Sequence, residues 1–351
     1  MFAYVGCYTT AKRGGHGAGI SVYEMDPASG EWSLLQTVAD LVNPSFLALD
    51  RRRRVLYSAH GDGDYASAFA IDALTGRLMP LNRQSTGGEN GVHLAVDASN
   101  RYLVVGNYAS GTVAVLPIAR DGSLEALSDL VTLTGTPGPD PVQQISSHPH
   151  AVPFDRSGRY VVVPDKGFDK VFVFLLDPTR GKLMAGYPPA VTARPGAAPR
   201  HADFHPTQPC LYVNNELDST ITTYRFDPEA SRIEPLQVVS TLPPGFSGKN
   251  TTAEIGVAPS GRFVYVSNRG HNSLAIFAVD EASGQLSPVG WEPAQGTTPR
   301  FFALDPSGTF LYVANQNSDT IVCFRVDDAS GTPKPTGHVI QTGSPSSILF
   351  R

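Results

Sequence analysis

One arrangement of apolar and polar positions recurs along the chain. An apolar run ends in small or polar residues, a polar loop follows, a second apolar run comes next, and an Asp-led turn closes the unit. The copies are FAYVGCYTT…GISVYEMDPASG, VLYSAHGDGDYASAFAIDALTG, YLVVGNYASGTVAVLPIARDG, YVVVPDKGFDKVFVFLLDPTRG, LYVNNELDSTITTYRFDPEAS, FVYVSNRGHNSLAIFAVDEASG and FLYVANQNSDTIVCFRVDDASG. They begin at residues 2, 55, 102, 160, 211, 263 and 310. A repeat of roughly 50 residues is the length of a four-stranded propeller blade. Short alternating segments precede the copies, as in PSFLALD, HLAVD, HAVPFD, RHADFHP, AEIGVAP and RFFALDP, and edge segments such as RLMPLNRQS follow them. Alternation over four to six residues between Gly, Pro and Asp turns predicts strands. Each unit then reads as an inner strand A, strands B and C, and an outer strand D.

The first unit has no strand A before it. The segment SPSSILF, residues 344–350, has that pattern and lies at the other end of the chain. It is expected to pair beside residues 2–6 and close a ring, which removes the free edges of an open array. The expected fold is all-β: a seven-bladed propeller of four-stranded blades, one domain spanning 1–351.

Composition narrows the function. Gly 34 and Pro 29 fit a turn-rich chain, and charged residues at 17% with a net charge of −5 imply no broad basic surface. Nucleic acid is therefore a poor partner. No apolar run approaches the roughly 18–20 residues of a membrane span, and MFAYVGCYTT lacks the signature of a secretory signal. Cys7, Cys210 and Cys323 are far apart and odd in number, which predicts a reducing, cytoplasmic setting. No cofactor or metal is expected, and the oligomeric state is open.

In a four-stranded meander the D-to-A crossings and the B-to-C loops share one face of the ring. The starts of the A strands supply His93, His148, His150, Arg200, His201, Glu254 and Arg300. The B-to-C loops supply His60, Asn107, Asp165, Lys166, Glu216, Asn268, Arg269, His271 and Asn315. The opposite face carries turn sequences such as DALTG and DEASG, where Asp and Gly satisfy turn geometry. Arginine forks suit carboxylate or phosphate groups, and histidine beside carboxylate suits proton transfer near neutral pH. A small anionic substrate handled by acid–base chemistry is implied. Asp165 and Asp169 also read as loop caps, Asn107 and Asn315 as backbone partners, and His205 as structural. The long Gly/Pro-rich stretch TGTPGPDPVQQISS before His148 and His150 reads as a site-shaping loop. A metal site on those two histidines has no carboxylate nearby in sequence to complete it.

The run HPHAVPFDRSGRYVVVPDKGFDKVFVF, with PRHADFHP, YVNNELDST, YVSNRGHNS and PRFFALDPSG, resembles the lactonase family of seven-bladed propellers. That family includes bacterial propeller-type 6-phosphogluconolactonases and fungal 3-carboxy-cis,cis-muconate lactonizing enzymes. The resemblance covers essentially the whole chain. It implies a metal-free site in which His150 matches the histidine of HAVPFD, Arg200 the arginine of PRHADFHP, Glu216 the glutamate of NNELDS and Arg269 the arginine of SNRGHNS. The Arg200–His201 pair, His148 and Arg300 fit the bacterial branch.

These residues predict a lactonase acting on a small sugar lactone that carries a carboxylate or phosphate. His150 and Glu216 are expected to share the acid–base work, with Arg200 and Arg269 holding the anion and stabilising developing charge. His148, His201, Arg300, His93, Glu254 and Asp165 are expected to bind substrate. A muconate-type cycloisomerase and a non-catalytic binding platform are the alternative readings.

Overall fold

The computed structural model describes residues 1–227 and 232–351. Among these, seven antiparallel sheets form the seven expected blades. The second strand of each blade begins at Phe2, Val55, Tyr102, Tyr160, Cys210, Phe263 or Phe310, within one residue of the repeat starts read from sequence. The turn expected at residues 228–231 of the fifth blade lies outside the described residues. The only helical pieces described are two short 3-10 turns, Ala11–Arg13 and Gln316–Ser318.

Burial explains the pattern of each blade. Second strands such as Val55–His60 and Tyr102–Asn107 are buried throughout, because neighbouring blades cover both faces. Their continuous apolar composition follows. Outer strands such as Leu286–Pro293 are largely exposed and keep a polar face. At the A-to-B turns one aspartate gathers several backbone N–H groups. Asp97 accepts from Ser99, Arg101 and Tyr102, and Asp305 accepts from Ser307 and Phe310.

Adjacent blades are latched by a repeated hydrogen bond. A second-strand tyrosine hydroxyl donates to the carbonyl of a turn glycine in the next blade: Tyr4 to Gly76, Tyr57 to Gly122, Tyr212 to Gly284, Tyr265 to Gly331 and Tyr312 to Gly30. Ring closure is as expected. Pro345–Phe350 pairs antiparallel with Phe2–Cys7.

One blade departs from the four-strand expectation. Tyr160–Asp165, Lys170–Asp177 and Lys182–Thr192 form a three-stranded sheet, and its inner segment makes only isolated bridges, Pro149 to Asp165 and Phe154 to Val161. Pro149 and Pro153 supply no N–H to a ladder. The segment still docks: His150 N–H donates to the Pro164 carbonyl, and Val162 N–H donates to that of Pro153.

Candidate active site

Two structural devices turn side chains toward the axis. The first is a β-bulge near the start of each regular inner strand. Pairing slips between Pro44 and Phe46, Gly91 and His93, Pro199 and His201, Thr252 and Ile255, and Pro299 and Phe301. Successive residues of a regular strand point to opposite faces; a bulge breaks that alternation and re-aims a side chain. Ser45, Arg200, Arg300 and Ser346 stand at such slips and all line the narrow inner part of the channel. The bulge also lets the consecutive residues Arg200 and His201 face the same cavity.

The second device lies one residue beyond the second strand in six of the blades. There the backbone N–H returns to the residue preceding the inner strand: Tyr8 to Ser344, Tyr108 to Asn90, Lys166 to His148 and Glu216 to Ala198. Their side chains overhang the opening. With Arg13, Asn90, Val92, His150, Arg269 and Arg300, these four line a cavity of about 130 Å³. Larger cavities of about 390, 420 and 520 Å³ lie among the A-to-B turns and at the opposite end of the channel; no comparable cluster of cations lines them.

At the floor of the mouth one carboxylate meets three cations. Glu216 Oε1 is 2.9 Å from Lys166 Nζ and 3.3 Å from an Arg269 nitrogen, and Oε2 is 3.0 Å from Arg200 Nε. The Arg200 contact is an ion pair without an aligned hydrogen bond, since its Nε–H makes none. Burial by itself would raise the Glu216 carboxyl, but Arg269, Lys166 and Arg200 outweigh it and hold the group well below the usual carboxylate range. Lys166 is pushed down by burial and pulled back by Glu216. Both arginines are tied to one strand: Arg200 donates to the Ala253 carbonyl, and Arg269 to that of Thr252 at 2.8 Å. Arg13 is neutralised by Asp62, 2.6 Å away. Arg300 lies 5.0 Å from the centre of the Tyr8 ring and has no carboxylate partner among the described residues.

A second cluster sits against the first. His201 Nδ1 is 3.0 and 3.1 Å from the two oxygens of Glu254, and its Nε2 is 3.2 Å from His150 Nδ1. His93 meets His201 edge to face and lies against Phe46. His150 and His201 are held far below histidine's ordinary value, by burial first and then by cations including Arg200 and Arg300. Burial pushes Glu254 the other way, up to about 8.

The structure thus brings His150, Arg200, Glu216, Arg269 and Arg300 to one opening, with His201, His93 and Glu254 behind it. Three of the expected site residues have other partners. Glu216 is expected to share proton transfer; Arg269, Lys166 and Arg200 surround its carboxylate and hold it well below the usual range. Asp165 is expected to bind substrate, but its carboxylate is occupied by the Ser147 hydroxyl and the N–H groups of His148 and Phe168. Glu254 is expected to contact substrate, but it bonds His201 and does not border the cavity. His148 stacks on Tyr108 with ring centres 4.4 Å apart and bonds that residue's carbonyl. His60, Asn107, Asn268 and Asn315 fasten crossings between blades. His205 bonds Gly261 and the Thr207 and Gln208 N–H groups.

Tyr8, Tyr108 and Arg13 are site residues that the sequence reading left out, and Lys166 is one that it placed on this face without a role. The position directly after Cys7, Asn107, Asp165, Asn215 and Asn268 holds Tyr8, Tyr108, Lys166, Glu216 and Arg269 in one column of the repeat. That column was the available signal for Tyr8, Tyr108 and Lys166; Arg13 lies outside it. The long loop does shape the site, since Gln143 accepts from Lys166 Nζ at 2.7 Å and Gln144 donates to Asp169.

Comparison with known proteins agrees with this fold. The model of a family described as "Lactonase, 7-bladed beta-propeller" matches residues 2–350. A 6-phosphogluconolactonase of Bacillus subtilis is 36% identical over 308 residues, covering 87% of this chain and 86% of the relative. Another, from Formosa agariphila, is 33% identical over 313 residues, covering 86% of each. Among solved structures, the periplasmic gluconolactonase of Pseudomonas aeruginosa superposes with a TM-score of 0.91 at 34% identity, covering 99% of this chain and 98% of that one.

Proposed function

The chain belongs to the Lactonase family of 7-bladed β-propellers, and from that membership and the geometry of the mouth we propose that it hydrolyses a small anionic sugar lactone of the 6-phosphogluconolactone type. The whole chain, 1–351, acts as one domain in this reading. The observation that carries it is an excess of positive charge in a narrow, partly buried mouth. Arg200, Arg269, Lys166 and Arg300 converge there, while Glu216 is the carboxylate that borders the cavity. Desolvated cations of this kind favour an anion that arrives with its own charge.

Hydrolysis needs an activated water, stabilisation of the tetrahedral oxyanion and a proton for the leaving alkoxide. His150 borders the cavity and takes the water proton. Arg200 and Arg269 stabilise the oxyanion and, with Arg300, hold the substrate's carboxylate or phosphate. Glu216 is a fixed anion that keeps Lys166, Arg200 and Arg269 in register. Water is activated here by an imidazole, so activity is expected to survive chelation. The similarity to 6-phosphogluconolactonases of two organisms supports the sugar-lactone substrate. The cytoplasmic setting rests on three buried, unpaired cysteines. Among the described residues no helix is long and apolar enough to cross a membrane.

The test is a substrate panel. 6-Phosphogluconolactone should be hydrolysed faster than gluconolactone, followed by proton release, with EDTA present and absent. Loss of diene absorbance from 3-carboxy-cis,cis-muconate with no lactone hydrolysis would instead support a cycloisomerase. No turnover of any of these would overturn the proposal.

A further inference from the structure

His150 poses a chemical difficulty as a base. It is buried beside Arg200, Arg300 and Lys166, so an imidazolium there is costly. The neighbouring ring, His201, is equally enclosed, with Arg200, Arg300 and Arg269 around it. A base that had to keep the proton it removed would be a poor one at neutral pH.

The hydrogen-bond order shows another destination. When Glu254 is ionised it only accepts, so His201 Nδ1 carries the proton of that bond. Neutral His201 then offers a lone pair at Nε2, and His150 Nδ1–H donates to it across 3.2 Å. His150 borders the cavity, and its Nε2 is left with the free lone pair. When Glu254 is protonated, each bond reverses. The acid donates to His201 Nδ1, His201 Nε2–H donates to His150 Nδ1, and His150 Nε2 carries a hydrogen. One chain therefore has a basic form and an acidic form, and neither places a charge on a ring.

Resting on the hydrolase reading above, we propose that Glu254, His201 and His150 are a proton relay in which His150 is the catalytic residue and His201 and Glu254 are positioning residues that store its proton. Water loses a proton to His150 Nε2 as its oxygen bonds the lactone carbonyl carbon. The Nδ1 proton of His150 passes to His201 Nε2, and the Nδ1 proton of His201 passes to the Glu254 carboxylate. Cleavage of the ring C–O bond runs the chain backwards. The alkoxide takes the proton from His150 Nε2, and Glu254 ends ionised as it began. Burial that raises Glu254 to about 8 makes it a competent store near neutral pH.

The surroundings of the chain are defined. Glu254 faces His201, Arg200 and Arg300, and also accepts from Ile255 N–H. Asp203 is its acidic neighbour, itself pushed up to about 6 by burial. His93 packs against His201, and Tyr108 against His150.

Two measurements test the relay. In protein labelled with 15N-histidine, long-range proton–nitrogen correlations report which ring nitrogen carries hydrogen, with assignments from His150→Gln and His201→Gln. Both rings should stay neutral and exchange tautomers together as pH rises through about 8. Fixed tautomers, or an imidazolium on either ring at pH 7, would overturn the relay whatever the substrate proves to be. In the lactone assay, kcat of the wild type should rise through the same pH range. Glu254→Gln should lose that limb, with kcat down about 10²-fold and KM within twofold, while Glu254→Asp restores the limb. A Glu254→Gln enzyme with an unchanged limb would also overturn the proposal. A wild type inert on every lactone would defeat the hydrolase reading alone, since the tautomer measurement needs no turnover.

Discussion

Tyr312 donates its phenolic hydroxyl to the carbonyl of Gly30, 3.0 Å away and 282 residues earlier in the chain. The same bond joins other neighbouring blades, so this one marks where the last blade meets the first. Tyr312 is fully buried, and a buried hydrogen bond contributes about 0.5–1.5 kcal/mol net. Tyr312→Phe should lower unfolding stability by about 1 kcal/mol, read as a lower denaturant midpoint, with lactone turnover unchanged. Ile348, on the closing strand, is also buried. Ile348→Ala should cost more, about 2–5 kcal/mol. If Tyr312→Phe were the more damaging of the two, apolar packing would not be the main term at closure.

The charge cluster predicts how stability responds to acid. Glu216 is held below its ordinary value of 4.5 in the folded chain. Its contribution is therefore present above about pH 4.5 and is lost as pH falls further. Glu254 has the opposite sign. Its contribution is full below about pH 4.5 and declines as pH rises toward 8. Glu216→Gln leaves Lys166, Arg200 and Arg269 without their shared anion, and should destabilise the protein by about 3–5 kcal/mol at pH 7. The gap to the wild type should shrink by pH 3. Urea midpoints across that range check it, and a gap independent of pH would contradict the assignment.

Arg269 reaches the mouth from a different blade than Arg200 yet shares Glu216 with it. Removing one donor to a developing oxyanion typically costs about 10²–10³ in rate. Arg269→Ala should lose that much kcat on the preferred lactone. Arg269→Lys should recover only part, since an ammonium does not reproduce the planar fork. Unchanged turnover in Arg269→Ala would remove it from the catalytic set.

Arg300 stands apart, stacked on Tyr8 and without a carboxylate partner among the described residues. A grip on substrate charge that is equal in ground and transition states appears in KM. Arg300→Met should raise KM for the phosphorylated lactone about 10-fold or more, the value of one charge-assisted hydrogen bond. KM for the uncharged lactone should change little. Equal effects on both lactones would mean that Arg300 does not hold the anionic group.

The strand framework was legible because burial on both faces writes a continuous apolar run, and Asp–Gly turns separate the runs. The closing strand was legible because 344–350 repeats a pattern missing at the start. The gathering of His150, Arg200, Glu216 and Arg269 followed from which loops share a face. Bulges were harder. Nothing in PRHADFHP announces that Arg200 and His201 share a side, since a regular strand would separate them. Glu216 has the residue type of an acid–base catalyst, and its closeness to Lys166, Arg200 and Arg269, which hold its carboxyl below the usual range, could not be read from sequence. Asp165 looks equally reactive, but loop N–H groups engage it. The irregular inner segment around His150 follows from Pro149 and Pro153, whose lost donors were visible in the sequence without their effect on the ladder being read.

Thr252, Ala253 and Glu254 are consecutive, and their short length of backbone braces the two arginines while presenting the carboxylate that faces His201. Recognition of charge and delivery of hydrogen are thereby mounted on one rail. A slip of that rail would detune both together, so paired substitutions at Arg200 and Glu254 should combine non-additively. Evolution on this scaffold would find it hard to change what is gripped without also changing when protons move.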